Sequence, residues 1–342
     1  MKTSSRMACG QALAAILLGS IVVMCPSGGR ADDASGGIFA LRNQNPFLQV
    51  YGLPTFQPAG LTAPGITAWN LSLDLANHAD FGATDTESFS IDGETYFLTV
   101  SMRRRVGDKL ELGFDVPLIS HADGFMDDSI ERWHDMFGMS NTRRQGPSNE
   151  LAFLYQRDGV DLYRLDSPAA GIGDIQLTAA VPLRGRDTAG ARLTIRSSLK
   201  LPTGDPDELL GSGAADFSVS LHIAGNRSMW GRPLEYGGFA GALLLGDGDV
   251  LPALQNKAVP FAGALVAWRW SERIALAAQL SGQGPYFDSD VEELGGSSLQ
   301  LATGAALRTR GNWLLRFAVV EDVSANATTD FALHFSIQAG GG

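Results

Sequence analysis

The chain has 342 residues, a formal charge of −11, 44% hydrophobic residues, 41 glycines and two cysteines. Its acidity excludes the basic footprint of a nucleic-acid binder, and a mean hydropathy near zero is too low for a bundle of membrane helices. Cys9 and Cys25 both precede position 31, so the rest of the chain has no disulfide to rely on.

Lys2 and Arg6, the apolar run from Met7 to Cys25, and the small-x-small triplet Gly29-Arg30-Ala31 read as a secretory signal peptide, residues 1–31. Loss of that leader, with Lys2, Arg6 and Arg30, takes the formal charge from −11 to −14. Residues 32–64 follow as an N-terminal leader too long for a mere lead-in. Gly, Pro and Asn punctuate it, and it carries Phe39, Leu41, Asn43, Asn45, Phe47, Leu48, Val50 and Phe56. Threaded into the lumen of a barrel, it would act as a plug; a loose lead-in is the alternative.

From residue 65 the chain alternates apolar and polar side chains in segments of about ten residues, the length of a tilted strand crossing a bilayer. The segment 66–76 sets Trp69, Leu71, Leu73 and Leu75 against Asn70, Ser72 and Asp74. In 94–105, Tyr96, Leu98, Val100 and Met102 oppose Thr99, Ser101, Arg103 and Arg105. A turn at 106–109 leads to a third strand with Leu112, Phe114, Val116 and Leu118 on one face and Glu111 and Asp115 on the other. After a long connection, 120–148, two short strands at 149–156 and 160–165 flank Asp158-Gly159, a two-residue hairpin signal. Further strands are expected at 173–182, 190–201, 214–225, 235–245, 258–270, 273–283, 298–309, 312–322 and 329–338. Short connections at 106–109, 184–189, 271–273 and 309–312 alternate with longer ones at 77–93, 120–148, 202–213 and 284–297. The pattern implies an all-β fold, an antiparallel transmembrane β-barrel over residues 65–338 with a flexible tail, 339–342. Counting the pair around Asp158-Gly159 gives 14 strands; if that pair is a loop excursion, the number is 12. Trp69, Tyr96, Trp268, Trp270 and Trp313 fall near strand ends, as an aromatic girdle requires. A soluble β-sandwich is the competing fold.

Charged residues on the strands have to face the lumen, because on the lipid side they cost a few kcal/mol. Arg192, Arg196 and Lys200 share one polar face, Arg103 and Arg105 another, and Asp74, Glu111 and Asp115 lie on other strands. Opposed rows of this kind set selectivity in a pore or pair with each other and brace a closed one. Within the long connection, Ile130, Trp133 and Phe137 form one apolar stripe of a short helix over 127–137, a candidate gate across the mouth. Loop acids such as Asp205, Asp207 and Glu208 read as solvating charge, with a divalent cation held between loops as the alternative. Ser120-His121, and His134 with Ser140-Asn141, hold the residue types of a lipid hydrolase, but nothing in the spacing brings them together.

The phrases Asn43-Gln44-Asn45-Pro46-Phe47, Tyr51-Gly52-Leu53-Pro54, Gly171-Ile172-Gly173-Asp174 and Ser198-Leu199-Lys200-Leu201-Pro202-Thr203-Gly204-Asp205, with the stretch 125–138, resemble an uncharacterised proteobacterial outer-membrane barrel family, domain of unknown function 3187. The resemblance implies an outer-membrane barrel and carries no assigned functional residue. The expectation is a channel or transporter in the outer membrane of a Gram-negative bacterium, passing or binding a small apolar or aromatic solute, and not an enzyme. The alternative is a structural barrel with a filled lumen. Partners would be outer-membrane lipid, lipopolysaccharide, the barrel-assembly machinery and the solute, with no nucleic acid. No cofactor or metal is called for.

Overall fold

A computed structural model describes residues 38–123, 151–184, 191–323, 327 and 331–339. The expected signal peptide lies outside them, as do Ile130, Trp133 and Phe137 of the gate helix. The strands are β1 (Thr67–Ala83), β2 (Glu87–Val106), β3 (Leu110–Ala122), β4 (Ala152–Arg157), β5 (Val160–Leu165), β6 (Ala169–Ile172), β7 (Gln176–Arg184), β8 (Arg192–Lys200), β9 (Asp216–Met229), β10 (Arg232–Leu244), β11 (Ala258–Arg269), β12 (Ile274–Gln283), β13 (Ser298–Arg308), β14 (Leu314–Asp322) and β15 (Phe331–Gln338).

Twelve of them close a ring in which each strand is hydrogen-bonded on both sides: β1, β2, β3, then β7 through β15 and back to β1. Closure leaves the ring itself without an edge strand. The seam aligns Leu71 with Ile337, Leu73 with Phe335 and Leu75 with Leu333. The outer face is apolar, with Leu177, Phe217, Val219, Leu221, Ile223 and Phe335 all exposed. The inner face holds Ser72, Asp74, Thr99, Arg103, Glu111, Asp115, Arg196 and Lys200, all buried. This is a soluble sandwich turned inside out, and it rules that alternative out: the exposed apolar band suits lipid.

The ring therefore has 12 strands, correcting the expected 14. The hairpin of β4 and β5 forms where Asp158-Gly159 predicts it, with both residues at positive φ (53° and 74°), as its two-residue turn requires. At six residues each, however, these strands are too short to cross a bilayer. β4 instead pairs with Glu87–Asp92 of β2, the part that projects past the last β3 partner, Ala122 opposite Glu94. The connection expected at 77–93 is mostly strand for the same reason. β1 and β2 overshoot the ring as an extended ladder from Asn77 opposite Glu94 to Ala83 opposite Ser88. Outside the hydrocarbon layer, alternation need not be apolar, so the sequence signal fades there while the hydrogen bonds continue. The short β6 pairs with Leu118–His121 of β3, above the segment that pairs with β7.

Candidate functional site in the barrel lumen

The inner wall carries polar side chains on most strands and an apolar patch on β10 and β11. β3, β8 and β9 direct Glu111, Asp115, Thr194, Arg196, Ser198, Lys200, Ser218, Ser220 and His222 inward. β10 and β11 present Phe239, Leu243, Val259, Phe261 and Leu265, and β14 adds Val320. Between them run residues 38–66, up the lumen and back.

The ascending limb starts at Phe39, whose backbone N–H and C=O both bond the side chain of Gln279 on β12, at 3.2 and 3.1 Å. Asn43 donates to the Ala327 carbonyl (2.7 Å) and to Ser298 (3.2 Å), while its own side-chain oxygen accepts from Asn45 N–H at 2.8 Å. Asn45 then caps a one-turn helix, α1 (Pro46–Gln49), by accepting from Phe47 N–H at 3.0 Å, with Pro46 at the first helical position, where no N–H is needed. The Asn-x-Asn-Pro-Phe phrase thus folds the bend at the top of the limb. Phe47, fully buried, sits edge-on to Phe89 of the β2 overhang and Tyr163 of β5, each at 5.3 Å. The β4–β5 hairpin lies over this tip, held by Tyr163 OH donating to Pro206 C=O at 2.8 Å.

The descending limb is pinned by charge. Lys200, fully buried, donates to Val50 C=O (3.0 Å), to Asp174 (2.6 Å) and to Ser212, and it also pairs with Asp216 at 3.0 Å. Asp216 in turn accepts from Gly52 N–H at 2.9 Å. Asp174 gathers Thr203 N–H, Gly204 N–H and Ser212 N–H within 3.1 Å. A Cβ on Gly204 would sit 2.3 Å from the Leu210 carbonyl, so the loop needs glycine there. The GxGD and LPTGD phrases therefore meet in one buried cluster whose centre holds the N-terminal segment. Lower down, Phe56 stacks on Phe239 at 4.6 Å and Arg196 donates to Pro58 C=O at 2.8 Å.

Of the charged residues singled out from sequence, Arg103 sets one guanidinium nitrogen on both oxygens of Asp115 (2.9 and 2.8 Å) and Arg196 pairs with Glu111 at 2.9 Å. Asp74 meets His334 across the seam at 2.6 Å. Arg105 is half-buried and donates to the Asp108 carbonyl in the turn after β2, and Arg192 borders a cavity. Sequence reasoning missed Asp174, Asp216 and His334 as partners, although Asp174 stands in a phrase already noted. It also missed Arg42, buried in the segment itself with its guanidinium 5.3 Å from the Phe97 ring centre. Burial lowers the Arg42 pKa, while the nearby carboxylates of Asp115 and Asp74 act the other way. Ser120 and His121 point to opposite faces of β3, and His121 bonds Thr95 at 2.9 Å, so these neighbours form no nucleophile–base pair. His134, Ser140 and Asn141 lie outside the described residues. Among the described residues, no three His, Cys, Asp or Glu cluster as metal ligands.

At the end with the short turns, a cavity of about 150 Å³ lies between the descending limb and the wall. Ile38, Phe56 and Leu61 give it apolar sides, and Arg103, Glu111, Arg192, Arg196 and Arg316 give it charged ones.

The profile of a family described as protein of unknown function, DUF3187, matches residues 13–340. No curated protein matches the chain. Among solved structures, the COG4313 outer membrane channel from Pseudomonas putida F1 is similar with a TM-score of 0.53 and 14% identity, over 83% of this chain and 99% of that one. The toluene transporter TodX from Pseudomonas putida gives a TM-score of 0.40 at 12% identity, over 92% of this chain and 94% of its own. A Pseudomonas aeruginosa FadL homologue gives 0.38 at 11%, over 92% and 99%. The first of these likenesses is one of fold, and it matches this barrel to those of Gram-negative outer membranes.

Proposed function

This chain belongs to the DUF3187 family, and we propose that it is an outer-membrane channel held shut by its own N-terminal segment, passing or binding a small apolar or aromatic solute. The observation that carries this reading is the course of residues 38–66. They fill the lumen, and their main chain is bonded to inward-facing side chains of β3, β8, β9 and β12. The segment is one contiguous stretch ahead of β1, joined covalently to the wall at one end only, so it can leave without breaking the ring. Pairing of Arg103 with Asp115 and of Arg196 with Glu111 supports the charge rows as braces of the closed state. In this reading the signal peptide is cleaved, the barrel-assembly machinery inserts the mature chain, the short turns face the periplasm, and lipid and lipopolysaccharide surround the wall.

Single-channel conductance in a planar bilayer tests it, comparing the refolded mature chain with one lacking residues 33–60. Silence in the first and large steps in the second are expected. Steady conductance in both would make the protein a general pore and refute the plug. Silence in both would favour the structural barrel, for which a deletion strain would lose no solute uptake.

A further inference from the structure

We infer that the outer face beside the β9–β10 turn binds the phosphate of an anionic phospholipid, whatever the lumen passes. Side chains alternate between the two faces of a strand, and on β9 Phe217, Val219, Leu221 and Ile223 point outward. The same parity carried toward the turn places Arg227 and Met229 outward on β9, with Arg232, Leu234 and Tyr236 outward on β10. Arg227 stands opposite Leu234 and Arg232 opposite Met229. The two arginines are thus a diagonal cross-strand pair, near enough for long side chains to meet on one group. Both are exposed, and the Arg227 guanidinium lies 5.9 Å from the Tyr236 ring centre. Leu234 is also opposite Trp268 of β11, whose ring is edge-on to Trp230 at 5.5 Å.

Trp230 supplies a second, independent observation. It is 79% exposed and sits in the turn at φ 53°, a left-handed position that hairpins give to Asn, Asp or Gly. An indole held out in this way suits the headgroup layer, and Trp69, Trp270 and Trp313 are exposed at the same end. Guanidinium groups at the border of the hydrocarbon need a counter-charge there. The outward positions of this hairpin end hold no acid, and Glu235, on the other face, takes Arg269 at 3.5 Å. Arginine matches a phosphate through parallel N–H bonds. A zwitterionic headgroup would add an ammonium to a face with no carboxylate to receive it, so charge selects an anionic lipid. The rest of this end has the same sign. Among the described residues, Arg104, Lys109, Arg273 and Arg310 are exposed there against Asp108 and Glu272. The end with the long connections is the reverse: Asp85, Asp207, Glu208, Asp288, Asp290 and Glu292 are exposed. Arg157, Arg164 and Lys257 at that end each hold a carboxylate already.

The test is native mass spectrometry of the full mature chain in detergent, with phosphatidylglycerol and phosphatidylethanolamine of the same chain length added in turn. Phosphatidylglycerol is expected to bind about tenfold tighter. Arg227→Gln together with Arg232→Gln should bring it down to the level of phosphatidylethanolamine. Both positions are exposed on the outer face, so the ring still forms, which the folded gel band checks. Trp230→Gly keeps the backbone of the turn and should weaken both lipids, whereas Arg164→Gln, at the far end, should change neither. Equal binding of the two lipids by the parent chain, or a preference that survives the double substitution, overturns the inference. So does lipid A held more tightly than phosphatidylglycerol and lost with the same two arginines, which would assign the patch to lipopolysaccharide.

Discussion

Replacing Phe47 by alanine perturbs the closed state almost in isolation. The ring is fully buried, edge-on to Phe89 and Tyr163 at 5.3 Å, and belongs to the threaded segment and not to the wall. If the segment leaves the lumen, that ring is exposed whichever residue stands there, so the substitution acts on the closed state alone. Truncating a buried phenylalanine costs about 3 kcal/mol or more, which is about a hundredfold in a two-state equilibrium. Phe47→Ala is therefore expected to raise the opening frequency of the full mature chain in a planar bilayer about a hundredfold. Phe81→Ala serves as the control, since Phe81 is 65% exposed on β1 and should leave the frequency unchanged. An opening frequency for folded Phe47→Ala equal to that of the parent would refute the reasoning, because the ring could not then be holding the segment in place.

Lys200→Met removes the cation between Asp174 and Asp216 and leaves two buried carboxylates facing each other, a loss of about 3–5 kcal/mol. Heat-induced loss of the folded gel band should come at lower temperature, and adding Asp174→Asn and Asp216→Asn should restore part of the difference; no restoration would count against the pairing. Deleting residues 152–165 removes β4 and β5, which are outside the ring, so the far-ultraviolet circular dichroism and the folded gel band should persist. The same deletion takes away Tyr163 above Phe47, and openings should become more frequent; a chain that no longer folds would show that the hairpin is needed to form the ring.

How much was legible follows from which interactions are local. The alternation of Leu71, Leu73 and Leu75 with Ser72 and Asp74 is a property of the strand itself, so the membrane-facing wall could be read directly. The strand number could not. Phe153 and Tyr155 alternate as well as any wall residue, and the Asp158-Gly159 turn is a sound hairpin signal. Ring membership depends on a distant event, the overshoot of β2 past β3. The same divide runs through the site. Arg103 and Asp115 lie on strands joined by one turn and share a cross-strand neighbourhood, whereas Asp74 finds His334 only once the seam closes. Thr194, His222 and Phe239 carried no signal of their own, because their role comes from the limb laid across them, and Asn43 and Asn45 showed turn chemistry without showing what it would turn inside.

The position of the threaded segment ahead of β1 also fixes an order of construction. Its partners Lys200, Asp216, Gln279 and Ser298 lie far downstream, so a segment made before β1 waits for much later strands before it can be housed. Asp74 and His334, which join first and last strands, are separated by 260 positions, a long loop to close. On β10 and β11 the inner wall carries Phe239, Leu243, Val259, Phe261 and Leu265, which an empty, water-filled cylinder would leave wet. Phe39, Leu41, Leu48 and Val50 join these residues in one buried apolar cluster. The segment is thus seated only when the strands that carry these partners are in place.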